Sequence, residues 1–163
     1  MDGSVVFVFD KSKNKVLLIK RRDVSVWVIP GGGIEKGETP ENAAIREVWE
    51  ESGYEIKIIR RVAEYTYRGK NKKNYMFEAI VTGGKAKLSN ESKEIAFFEV
   101  DKLPELRHPS ISEWLSDLGK KSNKVVKREI EGVSIKQALS QIHKHPLLVI
   151  RFLLTKLWIR INT

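Results

Sequence analysis

The sequence predicts an α/β protein. Short runs of apolar or alternating residues bounded by turn-forming residues are typical of β-strands, and six such runs precede residue 101. One stretch between these runs has the start and stop signals of a helix, and a second helical stretch follows the last run. Strands that surround one helix and precede another indicate a sheet with helices packed against it.

The strands and the second helix are predicted in a definite order along the chain. The strands cover residues 4–9, 15–20, 24–28, 55–66, 73–82 and 94–100, and the helix covers residues 110–118. Residues 10–14 separate the first two strands and are typical of a hairpin loop. Beyond the second helix we expect a strand over 124–130, a short helix over 134–142 and a final helix over 147–161.

The first helix is predicted over residues 40–52. Thr39 is typical of an N-cap, and Pro40 suits the first helical position because its missing N–H would have no partner there. Gly53 can adopt the left-handed conformation that ends a helix. The buried side of the helix is expected to consist of Ala43, Ala44, Ile45 and Val48.

Three glutamates on this helix indicate a divalent cation. Glu47, Glu50 and Glu51 are spaced so that all three carboxylates leave one face of the helix. Like charges so close repel one another, whereas Mg²⁺ and Mn²⁺ are hard ions that bind carboxylate oxygens. We therefore expect these residues to hold Mg²⁺ or Mn²⁺, and we expect Arg46 to pair with Glu38 from the preceding loop. The alternative is a solvated acidic face with no role.

The glycines Gly31, Gly32 and Gly33 precede this helix. A run of glycines lets the backbone turn sharply and approach a ligand without a clash with Cβ atoms. Alone, such a run indicates little. Followed by a capped helix with three carboxylates on one face, it predicts the entrance to a binding site.

The order of these residues resembles the signature of the Nudix (MutT-like) hydrolase family, G-x5-E-x7-R-E-U-x-E-E-x-G-U, in which U is apolar. Gly32 is followed after five residues by Glu38, and after seven more by R-E-V-W-E-E-S-G, which begins at Arg46. Tyr54 stands where the family usually has an aliphatic residue, at a packing position. The resemblance covers roughly residues 3–118 and implies an α/β/α sandwich around a mixed sheet.

The resemblance implies a metal-dependent pyrophosphohydrolase that cleaves a nucleoside diphosphate linked to another group, with a nucleotide-type small molecule as its substrate. We prefer a MutT-like nucleoside triphosphate pyrophosphatase. Alternatives are the hydrolysis of dinucleoside or inositol polyphosphates, or of pyrophosphate from RNA 5′ ends. A non-catalytic Nudix-like binding module is the alternative from another class, and the complete acidic cluster argues against it.

The resemblance also implies which residues share the site. Many members bring an additional acid from an opposite loop, and Glu94 is the first candidate and Glu91 the second. The expected catalytic residues are Arg46, Glu50, Glu51 and Glu94, with one of these glutamates as the general base. The expected substrate-binding residues are Arg21, Arg22, Trp27, Gly31, Gly32, Gly33 and Glu38. For the two arginines the alternative is ordinary surface charge, and for Trp27, expected to stack on a base, the alternative is core packing.

Composition separates the chain into a balanced part and a basic part. The 163 residues have a formal net charge of +9 and include no cysteine, which excludes disulfides and thiolate zinc sites. Residues 1–118 contain 20 Lys and Arg against 19 Asp and Glu, whereas residues 119–163 contain 10 against 2. We expect a Nudix domain over 1–118 and a basic extension over 119–163. Since the chain opens in a strand without a basic leader, we expect no secretory signal and a cytoplasmic location.

The final predicted helix, 147–161, is amphipathic, with basic residues on one half and a broad apolar face. It is too short and too charged to span a bilayer, and too apolar to remain in water. We expect it to pack on this domain or to form a homodimer. The alternative is peripheral binding to an anionic membrane surface. We expect no nucleic-acid partner, because no recognised module accompanies the charge. We assign no role to His108, His143 and His145.

Overall fold

The computed structural model describes residues 1–120, 124–130 and 150. The elements in chain order are β1 (Gly3–Phe9), β2 (Lys15–Arg21), β3 (Trp27–Val28), β4 (Gly31–Gly33), α1 (Pro40–Ser52), β5 (Tyr54–Tyr67), β6 (Lys73–Gly84), β7 (Ser92–Glu99), α2 (Ser110–Gly119) and β8 (Val126–Ile130). The helices predicted over 134–142 and 147–161 lie outside the described residues, residue 150 excepted, and stay predictions.

The eight strands of the described chain belong to one mixed sheet. Six of them follow the order β3-β2-β1-β6-β5-β8, while β4 also pairs with β1 and β7 also pairs with β2. The β1–β6 and β5–β8 pairs are parallel, and the remaining pairs are antiparallel. The predicted α/β class is therefore confirmed, and the sheet is mixed as the resemblance implied.

Helices α1 and α2 cover opposite faces of this sheet. Successive side chains of a strand point to opposite faces, so β1, at the centre, supplies both cores. Val6 and Val8 pack with residues of α1 on one face. Phe7 and Phe9 pack with residues of α2 on the other face. The result is the expected α/β/α sandwich.

Local signals fix both ends of α1. The Thr39 side chain accepts a hydrogen bond from the backbone N–H of Asn42 at 3.2 Å. Gly53 has φ 73° and donates its N–H to the carbonyl of Trp49 at 2.8 Å. The predicted bounds of α1 are confirmed. The prediction that Ile45 is buried was wrong, because this side chain is 41 % exposed. At 3.6 residues per turn it is rotated away from the line of residues that faces the sheet.

Two short strands differ from the predicted pattern. Strand β3 is shorter than the predicted 24–28, because the chain turns there: the N–H of Ser25 donates to the carbonyl of Arg21, and Ser25 has φ 53°. The glycines predicted as a loop form β4, which pairs with β1 in antiparallel register. Strand pairing uses backbone groups alone, so the absence of side chains does not prevent it.

The sheet continues past residue 118 into the basic extension. The strand predicted over 124–130 is confirmed as β8, which pairs with β5. Buried Asp117 of α2 holds β8 in place. The Oδ2 atom of Asp117 accepts hydrogen bonds from Arg128 Nε (3.0 Å) and Nη2 (2.7 Å) and from the Tyr65 hydroxyl (2.8 Å). Its Oδ1 accepts one from Lys120 Nζ at 2.7 Å. Among the described residues, neither α1 nor α2 has the length and apolar character of a membrane-spanning helix.

Candidate active site

Arg46 connects the acidic face of α1 to the loop before it. Its Nε and Nη2 donate to the two carboxylate oxygens of Glu38, each at 3.0 Å, and Nη2 also donates to the carbonyl of Gly33 at 2.9 Å. Its Nη1 donates to Glu47 at 2.9 Å and to Glu50 at 3.2 Å. The predicted contact between Arg46 and Glu38 is present, and the Arg46 guanidinium holds the pKa of Glu38 below its ordinary value. One guanidinium thus aligns the loop with the helix.

The carboxylate of Glu47 lies directly against the backbone of β4. A Cβ atom at Gly32 would overlap this carboxylate, so any larger residue there would displace it. Gly31 has φ 154°, and a Cβ atom on it would meet the backbone of Ser4 and Val5 in β1. The glycines are therefore required for the close approach of β4 to the helix on one side and to β1 on the other.

Glu51 is bound to the same strand. Its Oε2 accepts the N–H of Gly31 at 3.0 Å, and its side chain is partly buried. Burial raises the pKa of Glu51 to about 7, against the opposing effect of the Gly31 hydrogen bond. The negative charges of Glu47 and Glu91 raise it further, and the charge of Arg21 lowers it. Such an environment favours a nearby positive charge.

The pKa of Glu47 is shifted in the same direction as that of Glu51, but by less. Burial raises its pKa as well, while its hydrogen bond and ion pair with Arg46 lower it. Glu50 is more open, with its side chain 49 % exposed, and its described partner is again Arg46. The three glutamates therefore lie on one face of α1 as predicted. The Arg46 guanidinium pairs with two of them, Glu47 and Glu50.

The fit of this site to a divalent metal can be judged from its donor atoms. Within the described ranges, no three acidic or histidine side chains already converge as a metal site. The contacts explain this, because Arg46 draws Glu47 and Glu50 to itself and Gly31 holds Glu51. All three donors are nonetheless carboxylates on one helical face, which suits a hard cation such as Mg²⁺ or Mn²⁺.

A cavity of about 410 Å³ lies beside Glu51. Arg21, Glu51 and the three glycines of β4 are part of its lining. Arg21 is also bound to Asp23 through two hydrogen bonds. Of the two arginines predicted to bind phosphate, Arg21 is the one that lines this cavity.

Arg22 has a different position, and it holds the loop that contains Glu91. Its Nε donates to the carbonyl of Asn90 at 3.2 Å and its Nη2 to the carbonyl of Ser92 at 3.0 Å. Its backbone N–H donates to the carbonyl of Glu91 at 2.9 Å. Arg22 therefore positions the loop that contains Glu91, and the negative charge of Glu91 raises the pKa of both Glu47 and Glu51.

The two candidate loop acids have unequal surroundings. Glu94 lies opposite Lys20 in the β2–β7 pairing, and its carboxylate accepts a hydrogen bond from Lys20 Nζ at 2.7 Å. Glu91, by contrast, is among the charges that raise the pKa of both Glu47 and Glu51. The sequence placed Glu94 first, whereas the electrostatic contacts favour Glu91.

Trp27 lies in the core. It is 8 % exposed, and its ring meets Phe98 edge to face with centroids 4.8 Å apart. This placement favours the core-packing alternative over stacking on a base. The cavity wall instead contains aromatic and polar residues that sequence reasoning did not select: Tyr67, Asn74, His108 and Trp114. They are distant from the motif in the chain, so no spacing pattern connects them with it.

Comparison with known proteins identifies the family. The family model described as the NUDIX domain matches residues 2–118. The chain is 31 % identical over 116 residues to a putative 8-oxo-dGTP diphosphatase of Bacillus subtilis, covering 71 % of this chain and 77 % of that protein. It is 34 % identical over 100 residues to an ADP-ribose pyrophosphatase of Methanocaldococcus jannaschii, covering 57 % and 59 %. A NUDIX hydrolase structure from Nitrosomonas europaea matches the fold with a TM-score of 0.66 at 23 % identity, over 80 % of each chain.

The chain therefore belongs to the Nudix family. It is a hydrolase of pyrophosphate bonds. Proteins of this family generally use divalent metal ions and act on nucleotide-type small molecules.

Proposed function

We propose that this chain is a Mg²⁺- or Mn²⁺-dependent pyrophosphohydrolase that acts on a nucleoside diphosphate linked to another group. The observation that supports this most directly is the packing of Glu47 and Glu51 against the glycine backbone of β4, beside a cavity lined by Arg21. Acids, an arginine and an open backbone at one cavity are the groups that a metal-bound pyrophosphate requires.

Each residue then has a distinct task. Glu47, Glu50 and Glu51 hold the metal, and the side-chain-free backbone of β4 lets phosphate groups approach closely. Arg21 binds a phosphate oxygen, and Arg46 keeps the helix and the loop aligned. A bound divalent cation would polarise the phosphate oxygens and lower the pKa of the attacking water.

A carboxylate must also accept the proton of that water. Glu50, Glu51 and Glu94 are the predicted bases, and Glu91 is the second candidate for the loop acid. We favour Glu91 over Glu94 as the loop acid, because Lys20 already neutralises Glu94 while the charge of Glu91 acts on the metal-site glutamates.

For the substrate we favour a nucleoside triphosphate of the MutT type, in line with the name of the Bacillus subtilis relative. ADP-ribose is the second candidate, because a relative from Methanocaldococcus jannaschii bears that activity in its name. Both are nucleoside diphosphates with a further group attached.

A substrate panel tests this function. Full-length protein is incubated with nucleoside triphosphates, oxidised nucleotides, ADP-ribose, dinucleoside polyphosphates, diphosphoinositol polyphosphates and capped RNA, with Mg²⁺ or with Mn²⁺. We expect release of a nucleoside monophosphate together with pyrophosphate or a second phosphorylated product. Chelation by EDTA should abolish release, and added Mg²⁺ should restore it.

Two results would contradict the proposal. Turnover that survives complete chelation would exclude the metal-dependent mechanism. Tight binding of a panel member, without turnover under either metal, would support the non-catalytic binding module instead.

The basic extension is proposed to serve assembly or location. The catalytic part is nearly neutral, and the excess charge follows residue 118. If the final segment packs on protein, deletion of residues 145–163 should expose apolar surface and cause aggregation or dissociate a dimer. If it binds a membrane, the full chain should sediment with anionic vesicles in a salt-sensitive manner, and the deletion variant should not.

Turnover separates this role from a catalytic one. A folded deletion variant should keep the turnover number of the full chain on small substrates. A folded variant that binds metal normally but no longer hydrolyses them would show that the extension completes the active site.

A further inference from the structure

One edge of β5 is only partly covered in the described part of the chain. The strand runs from Tyr54 to Tyr67 and pairs with β6 along one side. On its other side the described residues supply only β8, which pairs with residues 63–67. Residues 54–62 therefore have no described strand partner on that side. An open strand edge presents backbone N–H and C=O groups with which another chain can pair.

The first five residues of β5 form the regular part of this edge. The strand has an extra residue at Ile59, because Ile58 and Arg60 pair with consecutive residues of β6. The earlier register shift instead places its extra residue, Thr82, on β6. Because a bulge bends the strand that contains it, the regular stretch is 54–58, with the sequence Y-E-I-K-I.

This stretch is complementary to itself in one antiparallel register. When Ile56 lies opposite its own copy across a two-fold axis, Glu55 lies opposite Lys57 and Tyr54 lies opposite Ile58, each of them twice. Residues directly opposite each other share one face of the sheet. Tyr54, Ile56 and Ile58 pack with the core on the α1 face, whereas Glu55 and Lys57 are exposed. Apolar residues thus meet apolar residues, and each acid meets a base.

The neighbouring strand does not neutralise these two charges. In β6, Gly83 lies opposite Glu55 and Ile80 lies opposite Lys57. Opposite charges across an antiparallel pair are stabilising, and like charges are destabilising. A second copy of the same stretch would supply the complementary charge for both residues.

Apolar surface on α1 continues this edge. Ile45 is 41 % exposed and Trp49 is 58 % exposed, and they lie one helical turn apart. Both line a cavity of about 460 Å³ together with residues 54–56 of β5. This cavity shares no lining residue with the cavity beside Glu51. The apolar flank of α1 is therefore separate from the candidate active site.

We propose that this chain forms a symmetric dimer in which residues 54–58 pair antiparallel with the same residues of a second copy. The two sheets become one continuous sheet, with both α1 helices on the same face. Ile45 and Trp49 of each copy pack across the two-fold axis, since a symmetric interface uses the same patch of both copies. The dimer does not depend on the hydrolysis reaction, and every residue that forms it lies within the Nudix domain.

Sedimentation equilibrium of the full-length chain tests the dimer, and we expect a Kd in the micromolar range. Glu55→Lys places a lysine opposite Lys57 at both ends of the paired stretch, and Lys57→Glu places a glutamate opposite Glu55. Each variant should raise the Kd about tenfold or more, because two attractive contacts become repulsive. The double variant exchanges the charges and should restore the wild-type Kd to within about threefold.

Two charge controls and one apolar variant accompany these changes. Lys70 lies in the turn beyond the far end of β5, Glu105 lies in the segment before α2, and both are exposed. Lys70→Glu and Glu105→Lys change the net charge as the two test variants do, and they should leave the Kd unchanged. Trp49→Ser removes the larger apolar contact and should raise the Kd about tenfold.

A wild-type chain that is monomeric at about 100 µM would overturn the dimer. A dimer that Glu55→Lys and Lys57→Glu leave unchanged would place the interface on another surface, such as the basic extension, and would also overturn it. Weakening that the double variant does not reverse would contradict the antiparallel register. A dimer that behaves as expected but has no turnover would support this interface while contradicting the proposed function.

Discussion

Replacement of Glu51 by glutamine is expected to lower kcat about 10²- to 10⁴-fold on every substrate that the wild-type chain hydrolyses. Glutamine has nearly the same volume and can still accept the N–H of Gly31, so the packing of the helix on β4 should persist. What it lacks is the negative charge that would bind metal or accept a proton. Steady-state kinetics with saturating Mg²⁺ measure the loss.

The stability of the same variant without metal provides its control for folding. The folded pKa of Glu51 is about 7, above its ordinary value of 4.5. The folded state therefore binds more protons than the unfolded state between these values, and wild-type stability falls as the pH rises from about 4.5 to about 7. At pH 8 the variant should be more stable than the wild type by up to about 3 kcal/mol, and below pH 4.5 the difference should vanish.

Two kinetic results would contradict the roles proposed for these glutamates. A well-folded Glu51→Gln variant with wild-type turnover would contradict the assignment of the acidic face of α1 as the metal site. In the same assay, Glu91→Gln should lower kcat more than Glu94→Gln. The opposite order would restore Glu94 as the loop acid.

Replacement of Asp117 by alanine is expected to lower the free energy of unfolding by about 3 kcal/mol. Asp117 is 3 % exposed and accepts hydrogen bonds from Tyr65, Lys120 and Arg128. Its removal leaves the Arg128 guanidinium without its buried partner, so that only the exposed pair with Glu113 still joins this side chain of β8 to α2. Urea denaturation at neutral pH measures the change.

Glu113→Gln is the matched control, because Glu113 lies on the same helix and also pairs with Arg128, but its side chain is 53 % exposed. An exposed ion pair contributes little, so this variant should lose less than about 1 kcal/mol. Burial raises the pKa of Asp117, but the hydrogen bonds from Lys120, Tyr65 and Arg128 outweigh it and the net pKa is lowered. The contribution of Asp117 should therefore be present at neutral pH and be lost as the pH falls below 3.8. Equal losses in the two variants would show that burial of Asp117 has no special role.

The sequence by itself determined the central helix and its acidic face. A cap at Thr39, a proline at the first position and a terminal Gly53 are local signals, and their effects depend on neighbours within a few residues. The spacing of Glu47, Glu50 and Glu51 fixes their common face for the same reason. The alternation and length of the apolar runs were likewise sufficient for most of the strands, because side-chain direction in a strand follows from position alone.

Only the tertiary structure decided which distant residues share the cavity. Asn74, His108 and Trp114 line one cavity although they come from β6, from the segment before α2 and from α2 itself, and this arrangement leaves no periodic pattern in the sequence. Our preference for Glu91 over Glu94 as the loop acid has the same origin, since it depends on the ion pair that Lys20 of β2 forms with Glu94 of β7. Pairing and burial connect residues that are far apart in the chain, and they set the electrostatic environment from which the chemistry of each group follows.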